Sequence, residues 1–261
     1  MPDRVEHRYG PAGIRLVTAS FHTHHFVPHA HSEYAIAAVE RGVEAVRYRG
    51  GTEHAPAGSL LLLDAEAIHA GRPAVAEGWD YRVFYVPPEL LAELAGHRPR
   101  FTAVTPHDPA LARRLARLHR AAAPLPALEE ALSSVLARYS GTAVAEPAEP
   151  ATVRRVRRAL ADDLQHTPSL DELAALAGMP RFRLLRAFRR ATGVTPHGYL
   201  LQLRLRHAQQ LLAAGHPVAR AAADSGFHDQ SHLHRHFRRV FGATPGSFAR
   251  NDVQAGWRRG S

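Results

Sequence analysis

Nine residues are written almost twice in this chain. FRRATGVTP occupies 188–196 and FRRVFGATP occupies 237–245, an offset of 49 positions. Repetition at a fixed period constrains architecture more than any other feature, because each copy has to be one supersecondary unit. In register, Leu184 meets Leu233, Arg186 meets Arg235, Phe188 meets Phe237, Gly193 meets Gly242 and Pro196 meets Pro245. Upstream, LDELAALAGM at 170–179 meets ARAAADSGFH at 219–228. Each copy reads as a short helix, a break at Gly178 or Gly226 and a second helix of about a dozen residues; glycine suits the break because it adopts positive φ at no steric cost. Each second helix stops at Gly-x-Thr-Pro, where Thr caps a fresh helix and Pro takes its first position. Helix, tight turn and helix is the layout in which the second helix enters a DNA major groove.

The faces agree with that layout. In 180–191, Leu184, Leu185 and Phe188 form a core stripe with Ala187 and Ala191, and Arg181, Arg183, Arg186, Arg189 and Arg190 lie opposite. In 229–241, Leu233, Phe237 and Val240 point inward, leaving Gln230, Ser231, His232, His234, Arg235, Arg238 and Arg239 outside. Arg, Gln, Ser and His donate to base edges or to phosphates. Between the copies, TPHGYLLQLRLRHAQQLLAAG reads as one helix of about 18 residues, about 27 Å long at 1.5 Å per residue. Such a rod holds two reading helices near one DNA turn apart, about 34 Å, so that they reach successive major-groove segments on one face of the duplex. A plain helical bundle with solvated arginines is the alternative, and it leaves the coincidence of breaks, offset and outward arginines unexplained.

Charge divides the chain in the same place. The formal charge is +9 with no lysine. Residues 1–150 hold 15 Arg against 17 Asp and Glu, a net of −2, whereas residues 151–261 hold 18 Arg against 7, a net of +11. A strongly basic half is what a polyanion binder needs, although a basic solvated surface has the same charge. There is no cysteine, which excludes disulfides and thiolate metal sites. Apolar residues are 45% and charged residues 22%, as in a globular protein. No apolar run reaches membrane-spanning length, and MPDRVEHRYG lacks the apolar core of a signal peptide, so a cytoplasmic protein is expected.

The front half is of another kind. IRLVTASF, EYAIAAVE, VEAVRYRG, SLLLLD and DYRVFYV are apolar or alternating runs of strand length separated by Gly, Pro and His, and predict a β-sandwich or barrel. DPALARRLARLHRAAA and PALEEALSSVLARYS, within 108–140, predict two short helices, each with Pro near its start. GTAVAEPAEP at 141–150 reads as an extended linker. The expected class is therefore a two-domain α+β chain: a barrel over 1–100, a helical linker or dimerisation segment over 101–142, and an all-α domain with two helix-turn-helix units over 151–252.

Residues 151–250 resemble the DNA-binding domain of the AraC/XylS family of transcription regulators. LAALAGMPRFRLLRAFRRATGVTPHGYLLQLRLRHAQQLL is similar to the family's first unit almost throughout, and VARAAADSGFHDQSHLHRHFRRVFGATPGSFAR to its second, including GF-x-D-x-S-H-x-x-R-x-F from Gly226 to Phe237. The departures are Ala222, where a larger apolar residue is usual, Leu233, where Phe is usual, and Pro180, where Ser is usual. The resemblance implies base contacts from Arg181, Phe182, Leu185 and Arg186, and from Gln230, Ser231, His234 and Arg235. Arg189, Arg190, Arg238 and Arg239 are then left for phosphate or solvent. Leu185 either touches a thymine methyl or packs inside.

The front half resembles the same family's sensing domain, a cupin-type barrel. FHTHHFVPHAHSEY places five histidines in 14 residues, and GSLLLLDAEAIH runs from Gly58 to His69. His29, His31, Gly42, Gly58 and His69 fall at cupin spacings; Ala35 stands at the usual glutamate, Asp64 and Glu66 replace the Pro and Gly of the second motif, and Pro73 replaces its Asn. Three readings of His29, His31 and His69 stay open: ligands for a divalent metal such as Zn²⁺, Fe²⁺ or Mn²⁺, hydrogen-bonding groups for an organic effector, or a structural role. Alternation puts Glu33 on the face of His29 and His31. His22, His24 and His25 are expected to be exposed. Tyr34, Trp79, Tyr81, Phe84 and Tyr85 either line the barrel or pack its core, with Tyr34 and Tyr81 counted as effector candidates.

The expected function is a DNA-binding transcription regulator governed by a small-molecule effector, working as a homodimer on a duplex operator and touching RNA polymerase if it activates. The alternatives are a cupin metalloenzyme, which Ala35 disfavours, and a regulator whose barrel only dimerises. No Ser/His/Asp or Cys/His constellation and no phosphate-cradling loop argues for an enzyme.

Overall fold

The computed structural model describes residues 3–142 and 149–254. Two compact units result, one built mainly from the front half of the chain and one mainly from the back half.

In the first unit, β1 (Arg4–Tyr9), β2 (Arg15–Phe21), β7 (Trp79–Val86), β3 (Tyr34–Tyr48) and β4 (Gly51–Pro56) lie side by side in that order, and β5 (Leu60–Leu63) and β6 (His69–Pro73) also pair with β3. All these pairings are antiparallel. Two runs that read as separate strands, EYAIAAVE and VEAVRYRG, are one 15-residue strand. The register of β3 against β7 shifts between Val39 and Arg41. An extra residue at such a bulge bends the strand and reverses which parity faces inward. Ala35, Ala37 and Val39 therefore face the same interior as Glu44, Val46 and Tyr48. The sheet curls around that interior without closing: among the described residues β1 and β4 remain its ends, so the expected barrel is an open one.

The other face of the sheet is covered by α1 (Pro88–Ala95), α2 (Pro109–Ala121) and α3 (Leu125–Tyr139). Their Leu91, Leu111, Leu115, Leu128, Leu132 and Val135 pack on Leu16, Ile36, Leu60, Leu62, Phe84 and Val86. This explains SLLLLD: a strand covered on both faces reads as a continuous apolar run. Helix α1 escaped the sequence reading, as did β1, β4 and β6. Most of the linker expected over 141–150 lies outside the described residues. Its first two residues instead complete β9 (Ser140–Thr142), which pairs with β8 (Pro99–Phe101).

The helical unit contains α4 (Ala151–Asp162), α5 (Leu170–Ala177), α6 (Arg181–Thr192), α7 (Pro196–Ala213), α8 (Val218–Asp224), α9 (Gln230–Phe241) and α10 (Pro245–Gln254). The first copy's core joins Val153, Val156, Leu160, Leu173, Ala177, Leu184, Phe188 and Leu200. Gly178 caps α5 at φ 64, and Ser169 with Glu172 forms a full capping box at its start. Thr195 caps the 18-residue α7 by accepting from the Gly198 N–H, and Thr244 accepts in the same way from Ser247. Ala191, expected in the core stripe, is exposed at the last turn of α6.

One guanidinium holds the turn before α5. Arg204, buried on α7, donates from Nε to the Leu164 carbonyl at 2.7 Å and from Nη2 to the Thr167 hydroxyl at 2.9 Å. It also reaches the carbonyls of Gln165 and His166, both at 3.3 Å. Gly226, at φ 74, passes so close that a Cβ there would sit 2.1 Å from the Leu164 oxygen.

The curl of the sheet has its own tight point. Gly42 has φ 69, and a Cβ on it would lie 1.8 Å from the Gly78 carbonyl oxygen. Gly42→Ala is expected to lower stability by at least about 1–3 kcal/mol, the cost of the left-handed backbone alone. Unfolding of the full chain by denaturant checks this, and an unchanged midpoint contradicts the close approach.

Candidate functional site

Two places in the chain gather chemistry. In the first, backbone pairing assembles a triad. His29 and His69 exchange N–H···O bonds of 2.9 Å in each direction, so they face each other as an antiparallel bonded pair with both side chains on one face. His31, two residues on, joins them, and one ring nitrogen from each of the three lies within 4.8 Å of the others. His29 Nδ1 donates to the Val27 carbonyl at 2.8 Å and His69 Nδ1 to the Ala67 carbonyl at 3.0 Å. His29 Nε2 sits 3.2 Å from His31 Nε2, and the Tyr85 hydroxyl 3.4 Å from the latter. Burial holds the His29 imidazole well below its ordinary value, and burial pushes His69 down to about 4. Glu66 keeps φ 63 although it replaces the glycine of the cupin motif, and its N–H donates to the His31 carbonyl at 2.7 Å.

The triad lies at a pocket whose walls include Val17, Phe21, Leu61, Leu63 and Val83, with Arg15, Glu44, Tyr81 and Tyr85 as further polar groups. Burial raises the Tyr81 phenol well above its ordinary value and pushes Tyr85 up to about 12. Arg15 stacks 3.8 Å from the centre of the Tyr85 ring and pairs with Glu33 at 3.1 Å. Burial pushes the Glu44 carboxyl up to about 8, which keeps it neutral, and its Oε2 has no hydrogen-bond partner among the described residues.

Of the expected effector candidates, His29, His31, His69 and Tyr81 line this pocket. Glu33 and Tyr34 do not. Glu33 stands at a bend, where strand alternation fails, and its carboxylate turns to Arg15 and Ser32. Tyr34 faces the helix-covered side, donating to the Pro99 carbonyl at 2.7 Å. Phe84 lies on that side too, whereas Trp79 and Tyr85 pack toward the interior. Of the outer histidines only His25 is exposed; His22 and His24 are half-buried, His24 with its ring 4.4 Å from that of Phe26. Arg15 and Glu44 were missed; Arg15 is a charged residue at the inward parity of β2, a signal the sequence carries, whereas Glu44 faces inward only because the bulge reverses parity within β3.

The second place is the outer surface of α6 and α9. Leu184, Phe188, Leu233 and Phe237 are fully buried. Arg181, Arg186, Arg189 and Arg190 are exposed on α6, as are Gln230, Ser231, His234, Arg235, Arg238 and Arg239 on α9. Phe182 is 72% exposed, while Leu185 is half-buried. Arg181 pairs with Asp171 at 3.3 Å. The two helices start differently: Pro180 gives α6 no side-chain cap, whereas Asp229 accepts from the His232 N–H at the start of α9. That cap was legible, since Asp is a favoured N-cap residue.

Residues 11–145 match the AraC-like ligand binding domain, and residues 173–251 match a helix-turn-helix domain. The chain belongs to the AraC family of transcriptional regulators. An HTH-type transcriptional regulator of Bacillus subtilis, YbfI, is 27% identical over 225 residues, covering 80% of this chain and 81% of that one. The crystal structure of apo ToxT from Vibrio cholerae matches with a TM-score of 0.60 at 13% identity over 95% of this chain and 96% of that one, a likeness of fold. A ToxT structure bound to an unsaturated fatty acid matches at 0.56 and 12%, covering 95% and 94%. As an AraC-type regulator, the chain joins a ligand-binding unit to a DNA-binding one.

The neutral Glu44 makes this regulator's stability depend on pH. Below the ordinary carboxyl value of 4.5, folded and unfolded chains both hold the proton. Between 4.5 and about 8 only the folded chain does, so rising pH favours unfolding, and above about 8 the effect levels off. Glu44→Gln is expected to have a higher Tm than wild type at pH 8, the gap closing toward pH 4.5; thermal melts across that range check it.

Proposed function

We propose that α6 and α9 are the two reading helices of this regulator and enter successive major-groove segments of one operator. The exposed, arginine-rich outer face that both copies share, fixed by the buried leucine and phenylalanine behind it, is the observation that carries this reading. Arg181, Phe182, Leu185 and Arg186 on the first helix, and Gln230, Ser231, His234 and Arg235 on the second, contact bases. Arg189, Arg190, Arg238 and Arg239 contact phosphates.

The pocket of the sheet unit takes a small organic effector with an apolar body and a polar end, as the fatty acid of ToxT has. Its apolar walls and the polar groups Arg15, Glu44, Tyr81 and Tyr85 support that reading. An effector governs DNA binding only by favouring one state of the protein over another. Homodimerisation, contact with RNA polymerase at activated promoters and a cytoplasmic location belong to the same proposal. Among the described residues, no helix is long and apolar enough to cross a membrane.

The test is binding of the purified chain to the DNA upstream of its own gene, followed by fluorescence anisotropy at fixed salt. Arg186→Ala and Arg235→Ala are each expected to lose about 1–3 kcal/mol, a factor of about 5–150, at their own base positions. Arg238→Ala is expected to weaken all sequences alike and to lower the salt slope by about 1. Wild-type affinity in both Arg186→Ala and Arg235→Ala overturns the assignment of the two helices.

A further inference from the structure

Glu44 has a polar atom that the fold leaves unmatched. The residue is 4% exposed, its side chain lies at the pocket, and its Oε2 has no hydrogen-bond partner among the described residues. Gly71 on β6 makes room for the carboxyl, since a Cβ there would lie 2.2 Å from Glu44 Oε1. The polar groups of the other strands do not answer it. Arg15 on β2 is already engaged, paired with Glu33 at 3.1 Å and stacked on the Tyr85 ring. Burial pushes His7 on β1 down to about 3 and lowers His29 and His69 as well, so these imidazoles stay neutral. His31 Nε2 is met by His29 and by the Tyr85 hydroxyl. Tyr81 and Tyr85 on β7 are phenols that burial keeps protonated. An unmatched carboxyl in a dry pocket is costly, and a guest that brings a donor removes that cost.

We propose that Glu44 recognises the effector, and that the effector carries a protonated amine on an aromatic or alkyl body. This rests on the pocket being the effector site and names the polar end of the guest. Charge decides between the possible ends. Arg15 and Glu33 cancel each other, so an ammonium set against ionised Glu44 leaves the pocket neutral. A carboxylate guest would be a buried charge without a partner, or would have to take Arg15 from Glu33. As the ammonium enters, the Glu44 carboxyl gives its proton to solvent and then accepts an N–H from the guest, a charge-assisted bond of the strong kind. The walls suit the same guest. Phe21 meets Phe26 edge-on with ring centroids 5.0 Å apart and lies 6.1 Å from the Tyr81 ring, and the faces of such rings attract a cation.

The test is calorimetric titration of the full chain at neutral pH without DNA, with phenylethyl and n-hexyl guests that each end in an amine, a hydroxyl or a carboxylate. In both series the amine is expected to bind at least about tenfold more tightly than the carboxylate. Titration in buffers of different ionisation enthalpy is expected to show about one proton released per amine bound and none per alcohol. Glu44→Gln keeps the shape and loses the charge; it is expected to weaken amine binding at least about 30-fold and to leave alcohol binding within about threefold of wild type. A carboxylate or an alcohol that binds as tightly as the matching amine overturns the proposal and leaves the pocket standing as the effector site. Amine binding unchanged in Glu44→Gln overturns it too. If that variant fails to fold, the proton count on the wild type decides, and release of none overturns the proposal. If no guest of any kind binds, the reading of the pocket itself fails and this proposal fails with it.

Discussion

Burial of a leucine and a phenylalanine four residues apart sets the rotation of both α6 and α9. With Leu184 and Phe188, or Leu233 and Phe237, turned fully inward, helical geometry leaves one arc for every other side chain. The arginines are therefore outside because the apolar pair is inside, and the same pair recurs at the same spacing in both copies. The proposed DNA reading rests on that packing more than on any single charge, since a rolled helix would present its cations to its neighbours.

The second constraint concerns spacing. A short helix pair has too little apolar surface to close a core by itself. Helix α7 supplies Leu200 to the first copy's core, and its Arg204 holds the turn before α5 through four acceptors. Gln165, from the same turn, donates to the carbonyls of Ala223 and Asp224 at the end of α8. The two copies are thereby fastened through hydrogen bonds that meet at the turn before α5.

The helical half was legible because its periodicity, caps and repeat point to the same answer. Gly178, Thr195, Pro196 and the length of α7 follow from local rules that tertiary contacts do not alter. The sheet half was legible only in part. Strands such as IRLVTASF and DYRVFYV announce themselves by apolar content, but GTEHAP in β4 and HAGRP in β6 owe their strand form to pairing with β3. The histidine spacing pointed to a convergent triad, and the backbone pairing of His29 with His69 brings two of its members together. Alternation misplaced Glu33 because the chain bends before β3 begins, and it was silent on Glu44 because the bulge reverses parity within the strand. Long-range pairing and local irregularity are the terms that a one-dimensional pattern omits.

That bulge also sets which changes the chain can accept. Around residues 39–42 one residue more or fewer turns over everything downstream. Val43, Ala45 and Arg47 would then face the interior, and Glu44, Val46 and Tyr48 would leave it. Length in this stretch is thus held as tightly as the identity of Gly42, and the make-up of the interior follows from a count of residues as much as from their kinds.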